Sequence, residues 1–339
     1  MKICANCFND IEIKESVEGM PRENGICECC GAEGDVVDIS EVEDFFCELL
    51  SLFEKDDNGR PVSAIIEQDW NIFASIASSN KILEDIINRN DFTYSINDNV
   101  SYIQDVKECL NVWDELKKEV QTEKRYFSNI GSFDWSSYIK GNFKVTKGTV
   151  YYRSRVIPAD KDYLTTKDMG CPPAEKATAG RANPIGIPYL YLCDNIDTTF
   201  YEIRAVYLDK VSVGRFVIQR DLDLVDFNAD TNLFYAFNSE NNDSLIDVIK
   251  HKILFKKISA DLSKPLRRYD TEIEYVPTQL ICEYCKHNGA DGIMFKSSLH
   301  KTGTNIVLFN KDDAKCTKVY TKEITNVTAK FKNYIAIVF

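Results

Sequence analysis

Cys4 and Cys7, two residues apart, are followed after 19 intervening residues by Cys27 and Cys30, spaced the same way. Two residues between cysteines let both thiolates reach one tetrahedral ion, and two such pairs supply the four sulfurs of a structural zinc site. Gly31 follows the second pair, and Pro21 and Gly25 lie in the connecting segment, where a chain that turns sharply around a metal uses such residues. So short and polar a segment could hardly bury four idle thiols. The expectation is therefore a structural metal on Cys4, Cys7, Cys27 and Cys30, zinc first and iron second. Cys29 is an extra thiol able to exchange with a ligand. Cys282 and Cys285, with His287 nearby, have no second pair, and three-residue spacing on a helix is what packing alone produces. Cys47, Cys109, Cys171, Cys193 and Cys316 are scattered and read as small apolar residues.

Other chemistries are narrowed by what is missing. The sequence has no glycine-rich phosphate loop and no Gly-x-Ser-x-Gly elbow. Its three histidines, His251, His287 and His300, all come late, which removes histidine catalysis from the front of the chain. A length of 339 residues suits two large units and a small one. With 44% hydrophobic and 28% charged residues the chain is not disordered, and no apolar run approaches the roughly 18 residues of a membrane span. Met1 to Cys7 carries no signal-peptide stretch, so the expected compartment is the cytoplasm, where thiols stay reduced. The net charge of −12 is uneven: residues 1–140 hold 29 acidic and 13 basic residues, and the remainder 24 and 28. An acidic front is a poor nucleic-acid binder, whereas the rear suits a small anion such as a dinucleotide. Two soluble domains of unlike composition would give the same numbers.

The elements that must carry these residues fall into three parts. Residues 1–40 form the knuckle. From 41 to about 130, Val42, Phe45, Phe46, Leu49 and Leu50, then Ile65 to Ile76, Ile82 to Ile87 and Ile103 to Val120 recur at helical spacing, predicting an all-α bundle broken by a turn at Asp56–Pro61. Residues 131–145 read as a connector, so the bundle is bounded at 41–144. From 145 to 339, short strands are predicted at 149–153, 189–192, 204–208, 211–218, 292–295 and 305–309, with helices near 198–204, 244–260 and 278–288. Strands and helices mixed without regular alternation make an α+β domain. Lys250, Lys252, Lys256, Lys257, Lys264, Arg267 and Arg268 read as a solvated basic helix face, or else as a partner surface.

Six ordered segments of the rear half look too specific to be structural alone. They are Tyr151-Tyr152-Arg153-Ser154-Arg155, Met169-Gly170-Cys171-Pro172-Pro173, Gly180 through Leu192, Thr198-Thr199-Phe200-Tyr201-Glu202, Tyr275 through Gln279, and Asp291 through Ser298; Asn305 opens the last strand. In this order they resemble the RES domain, with Arg153, Glu202 and Ser297 at the arginine, glutamate and serine for which it is named. The helices in front resemble, by order and helical character, the HEPN-type domain that precedes some RES domains. The resemblance implies an ADP-ribosyltransferase-like fold and an NAD-consuming enzyme, often the toxin of a toxin–antitoxin pair. Such an enzyme cleaves the nicotinamide–ribose bond with phosphate, water or a protein side chain as acceptor. Under it, Arg153, Glu202 and Ser297 would be the catalytic residues; Glu202 would stabilise a cationic ribose and Arg153 and Arg181 would hold the pyrophosphate. Tyr191 would stack on nicotinamide or orient the ribose, while Ser297, Asn305 and Asn183 would add neutral contacts. NAD is then substrate, zinc a structural cofactor, and an antitoxin or trigger protein a partner of the front half. Three plainer readings compete. Thr199-x-x-Glu202 is also a capping box. The front half could bind a partner without any enzyme behind it, or be a HEPN-type nuclease, although the histidine of that nuclease motif is missing there.

Overall fold

The structure, a computed structural model, describes residues 1–228, 230–239, 244–264 and 272–327. Arg267 and Arg268 of the basic stretch, and the chain beyond 327, lie outside the described residues. Two compact units emerge. The first comprises Met1–Trp113 with Asp230–Leu254, and the second Asp114–Ala229 with Phe255 onward.

The first unit opens with β1 (Lys2–Ile3), α1 (Ile11–Gly19), β2 (Glu23–Ile26) and β3 (Glu33–Asp38), whose strands form an antiparallel sheet in the order β1-β3-β2. Asp10 caps α1 by accepting from the Ile13 N–H. The helices expected next are present as α2 (Ser40–Leu50), α3 (Val62–Trp70), α4 (Ile76–Arg89) and α5 (Gln104–Thr122), whose residues from Asp114 on belong to the second unit. They are not the whole of it. The segment read as a turn at Asp56–Pro61 belongs to β4 (Phe53–Pro61), which pairs with β5 (Asn99–Tyr102) around a bulge between Lys55 and Arg60. The polar run Asp56–Gly59 is that bulge; its neighbours pair because Phe53 stacks on Tyr102, 4.6 Å between ring centroids.

The knuckle and the helices share one core, from Ile3, Phe8 and Ile13 through Phe45, Phe46, Leu49 and Phe73. The domain bounds drawn from sequence differ from these units in a second way as well. Phe234 and Phe237, from the rear of the chain, meet the ring of Phe45 edge-on at 5.2 and 5.6 Å. Burying such a side chain is worth about 1.5–3 kcal/mol, enough to recruit a remote segment. Asn232 donates to Asp10, and the Leu245 N–H to Glu48.

The second unit holds α6 (Trp135–Tyr138), β6 (Phe143–Val145), β7 (Val150–Val156), β8 (Leu190–Cys193), α7 (Ile196–Glu202), β9 (Lys210–Ile218) and β10 (Leu222–Asp226). The chain then gives α8 (Leu233–Asn238) and the first half of α9 (Leu245–Ser263) to the first unit, and returns with α10 (Val276–His287), β11 (Gly292–Lys296), β12 (Thr304–Leu308) and β13 (Ala314–Glu323). Eight strands make one sheet in the order β13-β9-β7-β8-β12-β11-β10-β6, antiparallel except for β10 beside β11. The mixed α+β architecture is as expected, but the expected strand at 204–208 is absent. The chain there turns, with positive φ at Arg204 and Leu208 and with Val206, Tyr207 and Leu208 exposed. Apolar residues leave one face of the sheet to pack around Tyr151, Leu192, Phe216, Leu224 and Ile306.

The basic stretch is not simply solvated. Lys250 pairs with Asp105, Lys252 with Asp230, Lys257 with Asp114 and Lys264 with Glu274. Among the described residues no helix is long and apolar enough to cross a membrane.

Candidate functional site

Strand register assembles the floor of a cavity of about 570 Å³. Tyr152 on β7 faces Cys193 on β8, Cys193 faces Asn305 on β12, and Asn305 faces Phe295 on β11. All four line the cavity, along with Arg153, Ser154, Arg181, Tyr191, Glu202 and Arg204. β7 and β8 pair only at Tyr152 and Cys193. Beyond that point the two strands part, so their residues can face a ligand instead of each other.

Glu202 sits at the C-terminal end of α7, so the capping-box reading fails. The helix start is closed by Asn195, which accepts from the Thr198 N–H. The Glu202 carboxylate instead accepts on Oε1 from Ser297 Oγ at 2.7 Å and from Asn305 Nδ2 at 2.8 Å. Among the described residues Oε2 has no hydrogen-bond partner. Ser297 Oγ accepts in turn from the Leu299 and His300 N–H groups, which leaves its proton for Glu202. Asn305 Oδ1 accepts from the Cys193 thiol at 3.3 Å. Burial, and then the charge of Glu202, push that thiol up. The helix is tied to β7 as well: Thr199 donates to the Ile196 carbonyl, so the 2.5 Å contact with Ser154 runs from the serine hydroxyl to Thr199. Thr198 holds the loop that carries Ser297, through His300 Nδ1 at 2.8 Å.

The arginines are braced from outside the cavity. Arg153 and Arg155 both donate to the Gly170 carbonyl, at 3.2 and 2.6 Å. Burial, and then the like charge of Arg155, bring the Arg153 guanidinium down to about 10. A half-buried cation with a like-charged neighbour favours an anionic ligand. Arg181 donates to the Leu262 carbonyl at 3.2 Å. Three arginines and one carboxylate among the lining residues make the cavity electropositive.

Two expected contact residues prove to be occupied elsewhere. Asn183 is buried, and its Nδ2 donates to the carbonyls of Thr178, Pro184 and Ile187, while its Oδ1 accepts from the Tyr191 hydroxyl at 2.7 Å. That hydroxyl also accepts from the Ala182 N–H, and burial pushes the phenol up. Asn183 therefore shapes the 178–187 loop, and Tyr191 offers the cavity its ring. Gly180 fits because a Cβ there would lie 2.6 Å from Asn183 Oδ1 and 2.7 Å from the Tyr191 hydroxyl. The Tyr275–Gln279 segment braces the same loop: Thr278 Oγ1 donates to the Arg181 carbonyl, and Gln279 Nε2 to those of Gly180 and Asn183. The structure thus brings Arg153, Arg181, Tyr191, Glu202, Ser297 and Asn305 together and places Asn183 behind them. Sequence reasoning missed Tyr152 and Arg204, and read Cys193 as packing alone.

The four knuckle cysteines form a second site in the first unit. Their sulfurs all lie within 4.8 Å of one another. Cys4 to Cys7 is 3.8 Å, Cys4 to Cys30 is 3.6 Å and Cys7 to Cys27 is 3.5 Å. A tetrahedral ion with bonds of about 2.3 Å to sulfur sets edges of about 3.8 Å, so the donor set fits zinc. Gly31 closes the knuckle at φ +79° with its N–H on the Cys27 carbonyl. Cys29 is not one of the four; its thiol lies on the Ser78 carbonyl. Among the described residues no other such group occurs; Cys282 and Cys285 are buried in packing on α10.

Comparison with known proteins adds three findings. The RES domain family matches residues 151–329. No curated protein matches the chain. Among solved structures, one described as the crystal structure of the M. tuberculosis MbcT-MbcA toxin-antitoxin complex aligns with a TM-score of 0.30 and 12% identity, covering 53% of this chain and 86% of that one.

Proposed function

The chain belongs to the RES domain family, and from that premise we propose that it is an NAD-consuming enzyme that breaks the bond between nicotinamide and ribose. The observation that carries this reading is the Glu202 carboxylate, fixed by Ser297 and Asn305 inside an arginine-lined cavity. As nicotinamide departs, positive charge develops at the anomeric carbon. A carboxylate already in place meets that charge without reorganising, and its second oxygen can accept from a ribose hydroxyl. Arg153 and Arg181 supply planar donors for the pyrophosphate. Nicotinamide leaves as a neutral molecule, so bond breaking needs no general base, in keeping with a cavity whose lining contains no histidine among the described residues. In this reading Glu202 and Arg153 are catalytic, Ser297 holds the carboxylate, and the Tyr191 ring packs against the substrate.

We also assign Cys4, Cys7, Cys27 and Cys30 a structural zinc ion, and the acidic HEPN-like front of the chain a partner protein, an antitoxin or trigger. Incubating the full chain with NAD tests the central claim: nicotinamide is released, and Arg153→Ala is much slower. Mass spectrometry of the ribose-containing product separates water, phosphate and a protein side chain as acceptor. A wild-type protein that releases no nicotinamide, with or without phosphate, refutes the reading.

A further inference from the structure

The loop that carries Ser297, between β11 and β12, is fastened to α7 as well as to itself. The Ser297 N–H donates to the Gly303 carbonyl at 2.8 Å, and the Gly303 N–H to the His300 carbonyl at 3.0 Å. His300 then reaches α7 twice. Its ring stacks on Tyr201, 5.0 Å between centroids and 8° from parallel, and its Nδ1 lies 2.8 Å from Thr198 Oγ1. Thr198 is fully buried, and a Cβ at Gly303 would strike its hydroxyl, so the loop has no room to slide along the helix.

The direction of the Thr198 bond follows from its neighbours. Asn195 Nδ2 donates to Asp194 Oδ1 at 2.8 Å, and Asn195 Oδ1 accepts from the Thr198 N–H, which fixes the amide. Thr198 Oγ1 lies 2.9 Å from that same Oδ1, an atom with no proton to give, so the threonine hydroxyl donates there. Toward His300 it can only accept. His300 therefore carries a proton on Nδ1. The Leu299 and His300 N–H groups meet Ser297 Oγ at 3.2 Å each, and Ser297 Oγ stands 2.7 Å from Glu202 Oε1.

We propose that His300 is a positioning residue of the reaction: its Nδ1–H on Thr198 and its ring on Tyr201 lock the Ser297 loop to the helix that ends in Glu202, and so fix the spacing between hydroxyl and carboxylate. The assignment rests on the NAD-cleaving reading and deepens it. His300 does not line the cavity, so its effect on catalysis passes through Ser297.

The test uses the full chain, nicotinamide release from NAD, and NMR. H300F keeps a ring for Tyr201 but has no donor, and should lower kcat about ten- to a hundredfold with KM near that of wild type. H300N carries Nδ2 where histidine carries Nδ1, and should restore kcat to within about threefold. T198V should be as slow as H300F, and T198V/H300F no slower than either. A role in packing alone reverses the order, so H300F at wild-type kcat, H300N no better than H300F, or an additive double variant overturns the assignment. Two readouts need no turnover. Ring-nitrogen NMR in mildly alkaline buffer should find His300 protonated on Nδ1, and a lone pair there overturns the assignment. The Ser297 and Leu299 amides should exchange about tenfold faster in H300F and at the wild-type rate in H300N, and unchanged exchange in H300F is also contrary. If exchange and tautomer are as expected and wild type releases no nicotinamide, the proposed reaction fails while the placing of Ser297 by His300 stands.

Discussion

Replacing Glu202 with glutamine removes a charge while leaving a shape. The glutamine carbonyl can still accept from Ser297 Oγ and Asn305 Nδ2, the two donors that now converge on Oε1 at 2.7 and 2.8 Å. Exchanging a charged for a neutral acceptor weakens each bond by about 1 kcal/mol, so stability should fall by no more than about 2 kcal/mol. Catalysis should suffer more. A carboxylate about 4 Å from a developing unit charge contributes about 4 kcal/mol at an effective dielectric of about 20. That is roughly three powers of ten in rate. Nicotinamide release at saturating NAD, followed by chromatography, should therefore show kcat for E202Q lower by about a thousandfold. E202A makes the contrast. It leaves two donors without their acceptor, at about 1–3 kcal/mol each, and should be the less stable variant in urea titration. If E202Q turns over NAD within tenfold of wild type, the charge of Glu202 is not what stabilises the transition state and the electrostatic argument is wrong.

Metal analysis of the purified chain should find one zinc ion, and Cys27→Ser should lose it together with protection of the β1-β3-β2 sheet in hydrogen exchange; a wild-type chain without metal defeats the zinc assignment. Gly180→Ala should drive a Cβ against Asn183 and the Tyr191 hydroxyl, at a cost of about 1–3 kcal/mol in urea titration, and an unchanged midpoint would show that the loop yields freely. Burial acts to raise the Asp291 carboxyl, but Arg220 Nη2 at 2.6 Å and the Asp223 N–H at 2.9 Å outweigh it and hold it below the ordinary value. Its stabilising contribution is then present above the unfolded pKa of about 3.9 and is lost as pH falls through the depressed folded value. Thermal melts of wild type and Asp291→Asn should accordingly converge below about pH 4, whereas a gap independent of pH would contradict the ion pair.

The knuckle was legible because C-x2-C spacing is local: four positions within 27 residues define a donor set whatever surrounds them. The helices of the front half were legible for the same reason, since a 3.6-residue period is written into each segment. β4 and β5 were not, because a short polar strand gains its stability from a partner about 40 residues away and from one aromatic stack. Segment order was enough to put Arg153, Glu202 and Ser297 in one family pattern. It could not say whether Glu202 closes a helix start or faces Ser297, a choice made by Asn195 taking the cap and by β12 carrying Asn305 beside β8. Asn183 looked like a ligand contact, and its three hydrogen bonds to the surrounding loop and one from Tyr191 on β8 became countable only once that loop was folded. Arg204 read as strand because Arg-Ala-Val-Tyr-Leu has strand composition. Its left-handed backbone is set by the end of α7, where the Ala205 N–H reaches the Phe200 carbonyl. The sequence by itself determined the chemical inventory: four thiolates at metal spacing, helical periods in front, and an ordered set of arginine, glutamate and serine behind. Tertiary structure alone decided which of those groups converge, because hydrogen bonding and burial act between residues that the chain separates by about 100 positions, as with Glu202 and Asn305.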